Sequence, residues 1–501
     1  MKIDRKSGVL LHITSLPSKY GVGDLGVEAY RFVDQLIEHG FSTWQILPLG
    51  PNGPGNSPYQ AYSAYAGDPL FISPEELFKW GLLTTDDLLR KPSFSARKCE
   101  FVKVSKWKNK LFEKAWENFL NLNDIGFKNE FNHFLFEHNW WLSDYALYQA
   151  CKIKFNNEPW NKWPTNLAKR LPAELELQHL KMNEEIMFEK FKQFMFFKQW
   201  FLLKNYANQK GVQIFGDLPL YVAHDSADVW SNQEIFFLNS KGNPTIVGGV
   251  PPDYFSDDGQ LWGNPVFNWE QLDKTGYQWW LSRLHFNFHL YNLVRIDHFR
   301  GLESFWAIPA NSITAKHGEW MPANGQEMLA VLQSQLTSLP IVAEDLGIIT
   351  PEVEQLRDGF NLPGMKVLQF AFTSDYTNEH LPHNYTNNNN IVYTGTHDND
   401  TLLGWWNSIK KAEKKMATSL VRVDQVKIAP AFIELAWAST AKIAIVPLQD
   451  VMELDGEARM NVPGTATENW SWRYSKSQLR KKQLQFMKKL NIKYNRCNNK
   501  E

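Results

Sequence analysis

Eight short runs of apolar, largely β-branched residues recur along this chain with helix-length stretches between them. They fall at residues 9–14, 43–49, 212–218, 293–297, 341–344, 366–372, 391–396 and 443–448. Helical periodicity marks several of the intervening stretches, at 27–38, 188–209, 279–290, 327–336 and 430–441. Parallel strands need a crossover, and the crossover is normally a helix, so the alternation predicts an α/β fold of parallel βα units. Eight units predict a closed (β/α)8 barrel of the TIM type. A doubly wound open sheet is the alternative arrangement of the same units.

The spacing of the runs is uneven. The second and third are separated by roughly 160 residues, far beyond the few residues of an ordinary βα loop. That gap predicts an inserted, mainly helical subdomain at 51–187, with the catalytic barrel formed by 1–50 and 188–501. Its first part, 51–69, is rich in Gly, Pro, Asn and Ser and reads as an ordered loop over the strand ends. Further loop insertions interrupt the barrel. From Lys476 onward, Leu479, Phe486 and Leu490 sit at helical spacing in a basic segment, which predicts a terminal helix packed on the barrel.

Charge and cysteine content narrow the class of function. Lys plus Arg number 53 against 54 Asp plus Glu, so no net field draws in nucleic acid or an acidic membrane surface. Cys99, Cys151 and Cys497 are unclustered and odd in number, which suits neither a disulfide framework nor a zinc site and points to a reducing, cytoplasmic setting. The basic start followed by Gly8-Val9-Leu10-Leu11-His12-Ile13 is read as a buried first strand rather than a signal peptide, because His12 and Thr14 break the apolar run. The chain carries 21 Trp, whose flat apolar faces with a polar edge suit sugar rings as well as protein cores.

A glycine pattern after the first run, Gly21-Val22-Gly23-Asp24-Leu25-Gly26, matches the dinucleotide fingerprint G-x-G-x-x-G. Asp24 would place a carboxylate where a pyrophosphate must bind, and the second run ends in Leu47-Pro48-Leu49 with no acid for a ribose hydroxyl. The glycines are read as a tight turn, and no cofactor is expected.

Barrel enzymes carry their catalytic groups at the C-terminal ends of strands. Four runs end in carboxylates: Gly216-Asp217-Leu218-Pro219, Arg295-Ile296-Asp297-His298, Ala343-Glu344-Asp345 and Thr396-His397-Asp398-Asn399-Asp400. Side chains alternate faces along a strand, so Val294 and Ile296 should meet the helices while Arg295 and Asp297 point inward together. An inward Arg beside Asp297 would keep that acid ionised, as a glycosidic nucleophile must be, and Glu344 then suits the partner that holds its proton. An Arg–Asp pair that only braces the barrel is the competing reading of Arg295 and Asp297.

The motifs around these acids resemble glycoside hydrolase family 77, the 4-α-glucanotransferases known as amylomaltase or disproportionating enzyme. The resemblance spans nearly the whole barrel. It rests on Gly8-Val9-Leu10-Leu11-His12, Gln45-Ile46-Leu47-Pro48-Leu49-Gly50-Pro51, Ser57-Pro58-Tyr59-Gln60, Gly249-Val250-Pro251-Pro252-Asp253-Tyr254-Phe255, Gly259-Gln260-Leu261-Trp262-Gly263-Asn264-Pro265, Arg295-Ile296-Asp297-His298-Phe299-Arg300-Gly301, Thr396-His397-Asp398-Asn399-Asp400-Thr401 and Ala458-Arg459-Met460-Asn461-Val462-Pro463-Gly464. It implies Asp297 as nucleophile, Glu344 as general acid/base and Asp398 as the carboxylate that steadies the distorted donor sugar. It implies Asp217, Arg295 and His397 as ligands of the same sugar. Tyr59 and Trp262 are implied as sugar platforms, with a packing role the alternative for either. Asp345 and Asp400 are read as structural. The implied partners are α-1,4-glucans and maltooligosaccharides as donor, and glucose or a maltooligosaccharide as acceptor. The implied reaction is a retaining double displacement, which requires the two reacting carboxyls to lie about 5–5.5 Å apart.

Overall fold

The computed structural model describes residues 5–252, 257–421, 428–465 and 468–497. Within them the strands, numbered along the chain, are β1 (Lys6–Leu10), β2 (Thr43–Gln45), β3 (Gln213–Leu218), β4 (Ile246–Val250), β5 (Gln260–Pro265), β6 (Leu293–Ile296), β7 (Ser304–Pro309), β8 (Glu319–Pro322), β9 (Ile341–Ala343), β10 (Gly364–Val367), β11 (Asn390–Tyr393) and β12 (Ile443–Pro447). Eight of them form one parallel sheet in the order β10-β11-β12-β1-β2-β3-β6-β9. That order is the chain order read cyclically. The two ends meet where the Ala343 N–H donates to the Pro363 carbonyl at 2.9 Å, so the sheet curls into a barrel rather than the open, order-reversing sheet.

Each expected run overlaps a strand, but the paired portions are shorter, and β10 starts ahead of its run at Gly364. The first is also displaced, starting at Lys6 opposite Ile443 and leaving the ladder at Leu10, after which Ile13–Ser15 form a helical turn. The residues that leave the sheet early turn into the loops of the barrel mouth. Alternation sorts the rest. Leu10, Phe215, Val342, Met365, Val367, Tyr393 and Ile445 pack against one another inside the barrel. Val9, Ile214, Val294, Ile296, Ile341 and Val392 pack outward in the cluster shared with the helices. The inside and outside faces of β6 are those read from its parity.

The helices follow the periodic stretches closely: Val27–Glu38, Asn183–Gln209, Gln278–Leu290, Gly325–Gln335 and Ile428–Ala438. The long segment between β2 and β3 is built on Phe101–Asn121 and Ile125–Lys154 as well as Asn183–Gln209. Their aromatic rings interlock, with Phe119 5.4 Å from Phe127 and Phe131 5.3 Å from Phe194 between centroids. The C-terminal helix is Lys481–Lys493, and it buries Met487 and Leu490.

One element was not legible beforehand. The loops after β3 and β6 pair into a small antiparallel sheet in the order β5-β4-β7-β8. Its strands carry Gly248, Gly249 and Gly263 and end on Pro265, Pro309 and Pro322, so they lack a continuous β-branched pattern.

The Gly21–Gly26 turn has a steric cause. Gly21 adopts φ +81°, and a Cβ on Gly23 would lie 1.7 Å from the Ile13 carbonyl oxygen. Asp24 is buried, accepting from the Gly26 N–H at 3.0 Å and the Ser18 hydroxyl at 2.8 Å, so its carboxylate fills the place a phosphate would need.

Candidate active site

The C-terminal ends of β3 and β6 lie side by side, with Asp217 paired in register with Arg295. Arg295 Nε donates to Asp217 Oδ1 at 2.9 Å, and its Nη2 donates to Asp217 Oδ2 at 2.7 Å. This two-point fork is almost wholly buried, the side chains being 3% and 0% exposed. Either charge alone would be costly there, so each holds the other in place. The same Nη2 lies 2.9 Å from Asp297 Oδ1 and 3.1 Å from the Tyr59 hydroxyl.

The geometry places Arg295 beside Asp297, as parity predicted, and adds a second partner. Arg295 spends its two-point fork on Asp217 and gives Asp297 a single contact. Burial therefore outweighs the guanidinium, helped by the charges of Asp217 and Asp398, and pushes the Asp297 carboxyl up to about 6 rather than down. Asp297 remains the acid that is mainly ionised at neutral pH.

Glu344 follows β9. Its Oε2 accepts the His298 N–H at 2.7 Å and its Oε1 the Leu346 N–H at 3.2 Å. His298 reaches that position through a left-handed backbone, φ +54°, which turns the chain directly after Asp297 and aims its amide at Glu344. Burial, then the neighbouring Asp297 charge, pushes Glu344 up to about 8, against the opposing pull of Arg295 and the His298 N–H.

Asp398 completes the group from the loop after β11. Burial works to raise its carboxyl, but His397, Asn461 and Arg295 together hold it well below the usual carboxylate range. His397 Nε2 lies 3.2 Å from Asp398 Oδ2, and Asn461 Nδ2 donates to Oδ1 at 2.5 Å. Asp297 and Asp398 keep 31% and 44% of their side chains exposed, so both face an open cleft, unlike the sealed Asp217.

Tyr59 is the hub of the polar network rather than a bare platform. Its hydroxyl donates to Asp217 Oδ2 at 2.6 Å and sits 2.8 Å from His397 Nε2, while its ring stacks on His397 at 5.2 Å and 14°. Trp262, on β5 of the small sheet, stands edge-on to His298 at 4.8 Å and is half-buried, beside the residue that follows Asp297. Asp345 turns away into a structural pair, accepting from Arg357 Nη1 at 2.5 Å and the Met365 N–H at 2.7 Å. Asp400 Oδ1 takes the Thr401 N–H at 2.7 Å. Of the motif ending in Asp253-Tyr254-Phe255, those three residues lie outside the described residues.

Sequence reasoning passed over Asn461, Arg459 and Trp470. Arg459 Nη2 donates to the Asp398 carbonyl at 2.7 Å, and its Nε donates to the Asn461 carbonyl at 2.7 Å, so one side chain ties the two segments together. Trp470 lies 6.0 Å from the His397 ring and 5.8 Å from Tyr59. All three lie beyond the last barrel strand, where strand-end logic has no purchase. For Arg459 and Asn461 the only signal was the motif Ala458–Gly464 itself, and Trp470 lies outside it. Removing the amide with Asn461→Ala should raise the Asp398 carboxyl and lower kcat/KM roughly ten- to a hundredfold, the range for a hydrogen bond to a charged group. Steady-state kinetics beside a thermal melt checks this: a lowered melting temperature with unchanged kcat/KM would mean that Asn461 only braces the loop.

The cleft thus holds one mainly ionised acid, one mainly protonated acid and a third strongly anionic one, around a buried guanidinium. Such a set suits acid-assisted displacement at a sugar acetal. The family model described as 4-alpha-glucanotransferase, glycoside hydrolase family 77, matches residues 11–479. The chain is 48% identical over 478 residues to a 4-alpha-glucanotransferase of Synechocystis sp., covering 95% of each chain. It is 44% identical over 480 residues to that of Thermus thermophilus, covering 94% of this chain and 95% of the relative. Among solved structures, the amylomaltase from Streptococcus agalactiae in complex with acarbose superposes with a TM-score of 0.96 at 38% identity, covering 99% of this chain and 100% of that one.

Proposed function

The chain belongs to glycoside hydrolase family 77, the 4-alpha-glucanotransferases, and from that premise we propose how its own residues divide the transfer of an α-1,4-glucan segment. Glu344, carrying its proton, donates it to the leaving glycosidic oxygen. The Asp297 carboxylate attacks the anomeric carbon, the C–O bond breaks, and a β-linked glycosyl ester forms while the reducing-end fragment departs. Glu344, now ionised, takes the proton from the 4-hydroxyl of an acceptor glucose or glucan. That oxygen displaces Asp297, the α linkage is restored, and the enzyme returns to its starting protonation.

The observation that carries this division is the placement of the two acids: Asp297 Oδ1 lies 2.9 Å from Arg295 Nη2, whereas Glu344 sits on the His298 and Leu346 amides, and burial with the neighbouring Asp297 charge raises its carboxyl. The guanidinium favours the ionised form of Asp297 and the like charge of Asp297 favours the protonated form of Glu344, the state the first step requires. Asp398, held strongly anionic, faces the cleft and offers two oxygens to the hydroxyls of the distorted donor sugar. Asp217 and Arg295 fix the floor of that site, and His397 and Tyr59 form its wall. Trp262, edge-on to His298 beside Asp297, is a sugar platform of the donor or the acceptor site.

Among the described residues no helix is long and apolar enough to cross a membrane, and Cys99, Cys151 and Cys497 are free thiols. The free thiols favour action in a reducing compartment such as the cytoplasm.

Incubation with maltotriose tests the reading. Transfer yields free glucose together with a ladder of longer maltooligosaccharides; glucose and maltose without longer products would make water the acceptor and overturn it. The first products should carry the α configuration by NMR, and initial β products would exclude a retaining pathway.

A further inference from the structure

We infer that His12 is a positioning residue for glycosyl transfer: from behind the loop that carries Asp398, it holds the His397 ring against that carboxylate through one buried water. The inference rests on the transfer mechanism above, in which Asp398 steadies the donor sugar. No step of that mechanism uses His12. The residue lies just beyond β1 and opens the helical turn Ile13–Ser15, where its carbonyl accepts the Ser15 N–H at 3.0 Å. Its ring stands edge-on to Phe71 at 5.4 Å and 81°, and only 4% of the residue is exposed. Backbone and packing thus fix its place, while its Nδ1 is buried with no hydrogen-bond partner among the described residues. A buried polar atom of this kind is uncommon in a folded protein and marks a place for water.

His12 borders a cavity of about 20 Å³, room for one water molecule, and His397 borders the same cavity. Thr396, Asp400 and Thr401 of the Asp398-bearing loop, with Asp450 and Arg459, supply further polar lining. Burial, then the proximity of His397, pushes His12 down to about 3, so its ring is neutral at pH 7 and carries one N–H and one bare nitrogen. On the cleft side, His397 Nε2 lies 2.8 Å from the Tyr59 hydroxyl and 3.2 Å from Asp398 Oδ2. Tyr59 gives its only hydroxyl hydrogen to Asp217, and an ionised Asp398 can only accept, so Nε2 is the donor to both. Those contacts occupy one edge of the ring and leave Nδ1 at the other. A water bonded to His12 Nδ1 and to this second nitrogen fixes the ring at both edges, and such a bridge is nearly as good as a direct bond. The Nε2–H then stays on Asp398 as the donor sugar distorts. With an apolar side chain at position 12, the His397 ring is held at one edge only and can pivot.

The test uses full-length His12→Phe, which keeps a ring to pack on Phe71 but removes both nitrogens, and His12→Asn, whose amide returns a polar atom near the Nδ1 position. On maltotriose, His12→Phe should lose roughly three- to tenfold in kcat and equally in kcat/KM, with KM unchanged, because the contact to Asp398 acts in the transition state. His12→Asn should recover most of that loss. Rates are taken per folded enzyme, with a thermal melt beside them, so a loss of stability alone leaves kcat where it was. A crystal structure of the parent should show one ordered water bonded to His12 Nδ1 and to the His397 ring, and that of His12→Phe should show the ring turned off Asp398 Oδ2. Where His12→Phe does not fold, the parent structure and the kinetics of His12→Asn still decide. Unchanged kcat in folded His12→Phe would overturn the inference, as would a raised KM alone, a loss in His12→Asn equal to that in His12→Phe, or a parent structure with no water between the two imidazoles. Absence of a maltotriose ladder from the parent enzyme would count against glucan transfer itself, and so is distinguishable from failure of the His12 contact.

Discussion

Asp297→Asn is expected to reduce transfer from maltotriose by at least ~10⁴-fold while leaving substrate binding within a few-fold of the parent. The amide has no anionic oxygen to form the glycosyl ester, and no other group in the cleft combines ionisation with the same position. The site should survive the change, because Arg295 keeps its two-point fork to Asp217 and its bond to Tyr59 and loses only the single contact to Asp297. A second consequence is electrostatic. The Asp297 charge is the second cause, after burial, of the rise in Glu344, so its removal should lower the Glu344 carboxyl toward the ordinary range. Calorimetric binding of maltotriose, turnover, and a carboxyl titration followed by infrared or NMR measure the three effects. Turnover above a hundredth of the parent would sink the assignment of Asp297 as nucleophile. Loss of binding together with turnover would return Arg295 and Asp297 to the bracing pair that strand parity alone could not exclude.

The contrast between Asp297 and Asn461 shows where the sequence was legible. Asp297 could be read because it ends an apolar run in which period-two alternation fixes the facing of each residue, and the structure keeps Val294 and Ile296 with the helices and Arg295 inside. The same rule located every barrel strand, since an apolar run flanked by helical periodicity is a local pattern. Asn461 lies 63 residues from Asp398 on irregular backbone, and no local pattern announces that its amide closes on that carboxylate. Pairing partners at such distances are set by tertiary packing. The antiparallel sheet from β4 to β8 was hidden for a related reason: its strands form because two loops meet above the barrel, overriding weak local β-propensity. The contact of Arg295 with Asp297 is present at 2.9 Å as parity predicted, but the second partner of Arg295 was not legible. Spacing put Asp297 beside it on one strand, whereas the fork went to Asp217 across the sheet, because the in-register neighbour on β3 faces the guanidinium squarely. A fork to Asp297 would have held it more strongly acidic, while with a single contact burial prevails and its carboxyl lies above the usual range.

Glu344→Gln carries the other large effect, and pH separates its origin from simple damage. In the parent, kcat/KM should be bell-shaped. It rises as pH climbs through about 6 and Asp297 loses its proton, and falls as pH passes about 8 and Glu344 loses the proton it must donate. Glutamine can accept only one of the two backbone N–H bonds of the side chain, from His298 or from Leu346, through its single carbonyl oxygen, and it can neither donate nor remove a proton in the way the reaction needs. Loss of a positioned acid/base costs about 10²–10⁴-fold, so transfer from maltotriose should fall by that factor, and the alkaline limb should vanish with the group that titrates there. The acid limb should persist, because it belongs to Asp297. A glycosyl fluoride donor makes the distinction sharper. Fluoride departs without a proton, so Glu344→Gln should still be glycosylated on Asp297. The second step still lacks a base for the acceptor hydroxyl, so the glycosyl ester should accumulate and appear as added mass on the intact protein. A variant that is slow on both donors, shows no added mass and keeps its alkaline limb would assign the upper step of the bell to another group and remove Glu344 from the proton-transfer role.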